Sequence, residues 1–227
     1  NVTGAGAGMQ DFVEVTGIVL KAVPVLEMDK RITVLTKERG KIAVFARGAK
    51  KPGSRFMAAT NPFCYGTFRL YEGKTAYNLS EVRIAEYFEN LREDFEGAFY
   101  GMYFCEVADY YTRENNDEKE MLKLLYVSLK ALTKGAVPHE LVQYIFEMKA
   151  LVVNGEFPGV LNGEALLEST VYTIQYVMQA PFEKLYTFKV SDAVLQQLAE
   201  QCRIYRERYI GHRFKSLAIL ENCRLKN

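Results

Sequence analysis

Between Lys37 and Arg55, seven cations (Lys37, Arg39, Lys41, Arg47, Lys50, Lys51 and Arg55) fall within nineteen residues, opposed only by Glu38. A phosphate backbone fits such a run, because neutralising each phosphate releases condensed counterions and makes binding steeply salt-dependent. Part of the run, Gly48-Ala-Lys-Lys-Pro-Gly53-Ser54-Arg55, carries the two glycines of a nucleotide phosphate loop. Ser54-Arg55 stands where Lys-Ser/Thr must follow, and Pro52 lacks an N–H where such a loop needs donors. Nucleotide hydrolysis is therefore disfavoured, and the segment is read as a basic loop between strands. Lys21, Arg31 and Arg69 are supporting cations. Phe45, Tyr65, Tyr71 and Tyr77 are near in sequence, and in an extended strand Tyr65, Thr67, Arg69 and Tyr71 share one face. Bases stack on such rings for about 1–3 kcal/mol each with little sequence preference, so Phe45, Tyr65 and Tyr71 are candidate stacking residues. The competing account is a solvated basic surface with rings that fill or cover a core.

Little else in the chain offers chemistry. The two histidines, His139 and His212, are far apart and lack a partner pattern. No nucleophile elbow, zinc-protease motif or acidic magnesium cluster is present. Cys64, Cys105, Cys202 and Cys223 form no C-x-x-C pair and are read as reduced thiols, with Cys105 and Cys202 on apolar helical stripes. No catalytic residue, metal site or cofactor is expected, and a nuclease or other enzyme is disfavoured.

Charge is sorted along the chain. Asn1–Ser80 carry 12 Lys and Arg against 6 Asp and Glu; the remainder carries 17 against 22, although its last 28 residues reverse to 7 against 3. Different segments therefore suit different partners. Arg203, Arg206, Arg208, Arg213 and Lys215 are candidates to receive an acidic peptide tail ending in an aromatic residue, against the blander account of a solvated helical face. With no run of eighteen apolar residues and no secretory leader pattern, a cytoplasmic protein without a membrane span is expected.

The elements that must position these groups divide into two kinds. Val13–Val23, Arg31–Lys37, Ile42–Arg47, Phe63–Tyr71 and Thr75–Val82 have strand character, with a turn at Glu38–Lys41 and a hairpin at Glu72-Gly73-Lys74. Five short strands in about seventy residues suit a small barrel. Beyond Glu86 the period is helical. The expected stripes are Phe95, Ala98, Phe99, Met102 and Cys105; then Met121, Leu124, Leu125, Ser128, Leu129 and Leu132 behind an Asp117/Glu120 capping box; then Leu141, Val142, Ile145, Phe146 and Met148 between Pro138 and Asn154-Gly155. A helix over Glu164–Met178, an extended piece over Leu185–Val190, a helix capped at Ser191 or Asp192 and carrying Leu195, Leu198, Cys202, Tyr205 and Tyr209, and a final helix with Phe214, Leu217 and Leu220 complete the series. The expectation is an α+β chain: a tag remnant or disordered tail at 1–8, a five-stranded barrel at 9–83, and an all-α domain at 84–227.

Gly17-Ile-Val-Leu-Lys21, Asp29-Lys-Arg-Ile-Thr-Val-Leu-Thr-Lys-Glu-Arg-Gly-Lys41, Val44-Phe-Ala-Arg-Gly-Ala-Lys-Lys51 and Ser54-Arg55 closely resemble the N-terminal half of the bacterial recombination protein O (RecO) family. The helical remainder is similar in rhythm, including Tyr144-Ile-Phe-Glu-Met-Lys-Ala-Leu151, Asn154-Gly155 and Phe157-Pro158. The resemblance implies an OB-fold barrel followed by a helical domain, binding of single- and double-stranded DNA, annealing of complementary strands, and help in loading RecA onto DNA coated with single-strand-binding protein. It also implies RecR, sometimes RecF, and the acidic C-terminal tail of single-strand-binding protein (SSB) as partners. The alternative is an interaction adaptor whose barrel docks proteins rather than DNA. Many members of the family place two C-x-x-C pairs after a Gly-x-x-Pro point and hold structural zinc there. Here Gly155–Gln179 has no cysteine, and Gly159-Val-Leu-Asn-Gly163 takes the place of the first pair. Tetrahedral zinc needs four close thiolate or imidazole ligands. A zinc-less variant is expected, its segment held by packing of Leu166, Val171, Ile174 and Met178.

Overall fold

A computed structural model of the chain describes residues 11–226; the expected tail at 1–8 lies outside them. Alternating apolar residues produce five strands: β1 Phe12–Val25, β2 Asp29–Thr36, β3 Gly40–Ala46, β4 Tyr65–Glu72 and β5 Tyr77–Glu86. They close into a barrel in the order β1-β2-β3-β5-β4, an OB-fold-like architecture followed by helices. Every pairing is antiparallel except β3 with β5, where only Val44↔Tyr77 and Phe45↔Asn78 are in register. β1 serves both neighbours, pairing with β4 through Phe12–Ile18 and with β2 through Gly17–Val25, with a register slip between Val19 and Lys21. Where β1 passes from one partner to the other, Gly17 faces Gly66. A side chain at either would meet the Leu35 or Arg83 carbonyl oxygen at 2.3 or 2.2 Å, so this corner is glycine by sterics. Val15, Val19, Ile32, Val34, Ile42, Val44, Phe68 and Leu70 fill the interior, and Ala49 and Phe56 of the following loop pack against them.

Two compact units emerge. One comprises the residues up to Tyr87 together with Thr112–Lys119; the other comprises Phe88–Tyr111 and Glu120 onward. The second unit holds α1 Glu89–Glu93, α2 Phe95–Tyr111, α3 Lys119–Lys134, α4 His139–Val153, α5 Glu168–Gln179, α6 Asp192–Tyr209 and α7 Lys215–Leu225, with 3-10 turns at Gly163–Ala165 and Phe182–Lys184. At the centre is α4, buried continuously from Leu141 to Leu151. The two charged residues of that buried stretch are fully engaged. The Glu147 carboxylate accepts from Gln143 Nε2 (2.8 Å), Tyr103 Oη (3.1 Å) and Arg206 Nη1 (2.5 Å). Lys149 Nζ donates to the carbonyls of Val177, Met178 and Ala180 at 3.0, 3.2 and 2.7 Å, satisfying the end of α5, where backbone carbonyls lack N–H partners. Burial lowers the Lys149 pKa from its ordinary value.

Several local expectations are corrected. In α2 the buried residues include Gly97, Tyr100, Tyr103, Phe104 and Val107, while Phe95 is 77% exposed; of the expected stripe, Cys105 is buried. Apolar residues occur all round this helix, and tyrosine hydroxyls with internal partners decide which face turns inward. Asp117 accepts from the Lys119 amide at 3.2 Å rather than from the Glu120 amide of a capping box, and α3 starts at Lys119, so the expected Asp117/Glu120 box is offset by one residue. Pro138 stands at the N-cap of α4 rather than in its first turn. α5 begins at Glu168 and buries Thr170, Thr173, Ile174 and Val177; Ile174 alone of the four expected packing residues is on that face, and Met178 is exposed. Leu185–Val190 forms no strand, and Tyr186 there bonds the Ser128 hydroxyl at 2.6 Å. Ser191 does cap α6, accepting from the Val194 amide at 3.2 Å. Among the described residues no helix is long and apolar enough to cross a membrane.

Candidate nucleic-acid interface

The basic run is split by the β2–β3 hairpin. Thr36↔Gly40 and Lys30↔Ala46 are opposite ends of its register, about 20 Å apart at roughly 3.3 Å per residue. Lys37, Arg39 and Lys41 are at the turn end, and Arg47, Lys50 and Lys51 are at the other. Sequence proximity across a hairpin is not spatial proximity.

At the turn end the cations have company. Arg39 lies 3.8 Å from the Glu72 carboxylate, and the Glu38 carboxylate accepts from the Thr16 amide at 2.9 and 3.1 Å. The segment 112–119 returns to this turn: Lys41 N donates to Arg113 O (3.1 Å), Asn115 N donates to Arg39 O (2.9 Å), and Gly40 bridges Glu114. Gly40 has φ +66°, and a Cβ there would sit 2.3 Å from the Arg113 carbonyl oxygen.

The other end is a firmly built loop. Gly48 N donates to Asp29 Oδ1 at 2.7 Å, Lys50 N to Met28 O at 2.9 Å, and Lys51 N to Gly48 O at 3.0 Å. Ala49 and Phe56 are buried beneath it, while the side chains of Arg47, Lys50 and Lys51 are exposed. Lys30 lies behind it, donating to Met57 O (3.2 Å) and Thr60 Oγ1 (3.1 Å), its pKa lowered mainly by burial. Arg55 stacks over Phe56 and donates to Ser80 O at 2.9 Å, so part of its role is structural.

The aromatic candidates are all half-buried and lie on outward positions of their strands, alternating in β4 with buried Gly66, Phe68 and Leu70. Cross-strand pairing brings two of them into one row: Val23, Arg31, Phe45, Asn78, Tyr71 and Phe12 are successive partners. The row leaves β1 at Val23 and meets it again at Phe12, the stagger required of a closed barrel. Arg69 covers the Phe12 ring at 4.3 Å and approaches Glu81 at 3.9 Å. Lys21 is exposed opposite Thr33, two pairs from the row's level. Tyr65 pairs with Ile18 and belongs with the turn end. Tyr77 packs against the core. Phe12 and Asn78 escaped notice in the sequence because only strand pairing reveals them as neighbours.

In the helical unit, Arg203 is bound by Glu200 and by Glu207 (2.7 Å). Arg206, its side chain 17% exposed, is bound by Glu147 and lies 4.0 Å from Glu221. Arg208, Arg213 and Lys215 are exposed. An open depression of about 860 Å³ is lined by Arg203, Arg206, Ile210, Arg213, Phe214 and Lys215, among others. At its rim the first amides of α7, Lys215 and Ser216, donate to the Glu106 carboxylate at 2.7 and 2.9 Å, so this helix start already holds an anion. Among the described residues no group of three or more His, Cys, Asp or Glu could hold a metal ion.

Two family models match the chain: Recombination protein O N terminal over residues 9–88, and Recombination protein O C terminal over 92–162 and 159–218. Relatives named DNA repair protein RecO include one from Clostridium novyi, 33% identical over 66% of this chain and 59% of that protein. Another, from Acetivibrio thermocellus, is 25% identical over 93% of this chain and 97% of that protein. A third, from Bacillus subtilis, is 37% identical over 63% of this chain and 55% of its own length. The best-matching stretches thus span a little over half of some relatives, while others align nearly end to end. With a barrel, a helical unit and both family models matched in order, the chain belongs to the recombination protein O family of DNA repair proteins.

Proposed function

We propose that this protein is a recombination mediator that binds and anneals single-stranded DNA and assists RecA loading on DNA coated with SSB. The observation that carries this is the juxtaposition, at one end of the barrel, of Arg31 and Phe45 as cross-strand partners with the exposed Arg47, Lys50 and Lys51. Cations track a phosphate backbone while a ring beside them accepts a base, the arrangement that holds single strands without reading sequence. Lys37, Arg39 and Lys41 form a second, weaker contact, with Lys21, Arg55 and Arg69 in support and Tyr71 as a further stacking ring. Annealing then requires charge neutralisation and base presentation, and no catalytic residue. The partners that go with this reading are RecR, RecF in some settings, and the SSB tail.

Simultaneous charge reversal at Arg47, Lys50 and Lys51 should weaken single-strand affinity and reduce the slope of log K against log salt by about 2, near 0.7 per lost phosphate contact. Reversal at Lys37 and Lys41 should do less. Equal effects from the two ends would overturn the assignment of the primary contact, and unchanged binding from both would overturn DNA binding by the barrel. The adaptor reading draws support from the depression between α6 and α7, where Arg213 and Lys215 flank Phe214. An acidic peptide ending in an aromatic residue is its natural probe.

A further inference from the structure

At the same end of the barrel stands a feature that charge does not explain. The β1–β2 turn raises Leu26, 84% exposed, with Met28 41% exposed beside it; Val23, 46% exposed, stands just before the turn. Leu26 also has φ +53°, a left-handed conformation that bulky side chains avoid. Glycine or asparagine would satisfy that turn without strain and without an apolar side chain in water. The turn is fastened to the basic loop by Lys50 N to Met28 O (2.9 Å) and Gly48 N to Asp29 Oδ1 (2.7 Å). Through Lys30 it is joined to Met57, itself 38% exposed. An apolar point is therefore fastened by hydrogen bonds beside the loop that carries the exposed Arg47, Lys50 and Lys51.

We infer that Leu26 and Met28 form a wedge that enters between bases of the nucleic acid held by Arg47, Lys50 and Lys51, keeping them unstacked for pairing. The inference rests on the DNA-binding function proposed above. Charge complementarity selects the occupant: the three cations of the adjoining loop call for a polyanion, and the apolar point calls for that polyanion to offer apolar faces, which unpaired bases do. Leucine and methionine are among the side chains that proteins insert between base steps. The wedge sits on the β1–β2 turn, whereas the ring Phe45 lies on the strand face, so the two act on different nucleotides.

The chain contains no tryptophan, so the full-length Leu26→Trp variant places a single indole at the point. On titration with a dye-labelled single-stranded oligonucleotide, dye anisotropy reports binding and indole emission reports base contact. The expected result is rising anisotropy together with loss of more than half the indole emission. Rising anisotropy with unchanged emission overturns the wedge and leaves DNA binding standing. No rise in anisotropy, with wild-type protein as well, overturns both. Stronger quenching by anionic vesicles with brominated acyl chains than by the oligonucleotide identifies the point as a membrane insert and also overturns the wedge. Leu26→Gly, which relieves the backbone, should keep or raise the melting temperature while lowering single-strand affinity about tenfold, the equivalent of one lost base contact. Undiminished affinity in that variant overturns the inference.

Discussion

Gln201 of α6 holds both backbone polar groups of Leu161: its Nε2 donates to the Leu161 carbonyl at 2.8 Å, and its Oε1 accepts from the Leu161 amide at 3.1 Å. Two further α6 side chains extend this grip. Tyr205 Oη donates to Gly159 O at 2.7 Å, and Gln197 Oε1 accepts from Leu167 N (3.0 Å) and Thr170 Oγ1 (2.6 Å). The segment expected to rely on the packing of Leu166, Val171, Ile174 and Met178 is instead held largely by hydrogen bonds from one helix face.

Gln201→Leu should therefore lower stability by about 2–4 kcal/mol, since it strands a backbone donor and acceptor together. Leu166→Ala, at a half-buried position, should cost under about 1 kcal/mol. Denaturant unfolding compares the two, and amide exchange at Leu161 should accelerate in the first variant only. A larger cost from Leu166→Ala would restore the packing account.

Glu147 and Arg206 form a buried pair, and removing one partner leaves the other charge uncompensated. Glu147→Ala should cost about 3–5 kcal/mol in unfolding free energy. Because Arg206 is so committed and Arg203 is held by two glutamates, neutralising Arg213 and Lys215 should weaken binding of an acidic tail peptide more than neutralising Arg203 does. A fluorescence titration measures the order; a dominant Arg203 effect would contradict it.

Gly40→Ala meets two obstacles, a left-handed φ and the Arg113 carbonyl. It should cost at least about 2 kcal/mol, of which roughly 1–2 kcal/mol is backbone alone. Proteolysis within 112–119 should quicken in the variant, and an unchanged melting temperature would show that this segment is not fastened at the turn.

Buried acids give the protein an alkaline limit. Burial raises the thiol pKa of Cys105 and Cys202 and the phenol pKa of Tyr103 and Tyr186, and pushes Tyr144 up to about 12. In the unfolded chain these groups ionise near their ordinary values of 9.0 and 10.0. The unfolded state then releases protons that the folded state retains, so stability is full below about pH 9 and falls as pH rises further. Urea midpoints constant from pH 7 to 8.5 and declining from pH 9 to 11 are expected. In the folded protein at neutral pH, Cys223, half-buried on α7, should react first with a thiol reagent, while Cys64, Cys105 and Cys202 await unfolding.

The five strands were legible because apolar residues alternate at a period of two and the barrel buries one face of each. The basic run was legible as charge but not as shape: Lys37 and Lys51 look adjacent along the chain, and the hairpin puts them at opposite ends. Arg206 read as a surface cation because Glu147, its counter-charge, lies 59 positions away on another helix. Phe95 read as core because apolar residues occur all round α2, and the distant partners of Tyr100 and Tyr103, Arg224 and Glu147, decide its orientation. Leu26 gave no signal, since nothing in its neighbours marks a leucine as exposed or left-handed.

The segment 112–119 closes on Gly40 and Lys41 only after the ribosome has made two helices beyond the fifth strand. The barrel unit is thus completed out of order: when Glu86 leaves the exit tunnel all five strands exist, yet the β2–β3 turn still lacks its backbone partners. Any truncated chain ending near Tyr87 leaves the Arg39 carbonyl and the Lys41 amide without the bonds they make to Asn115 and Arg113. A fragment that preserves the native turn must run to Lys119.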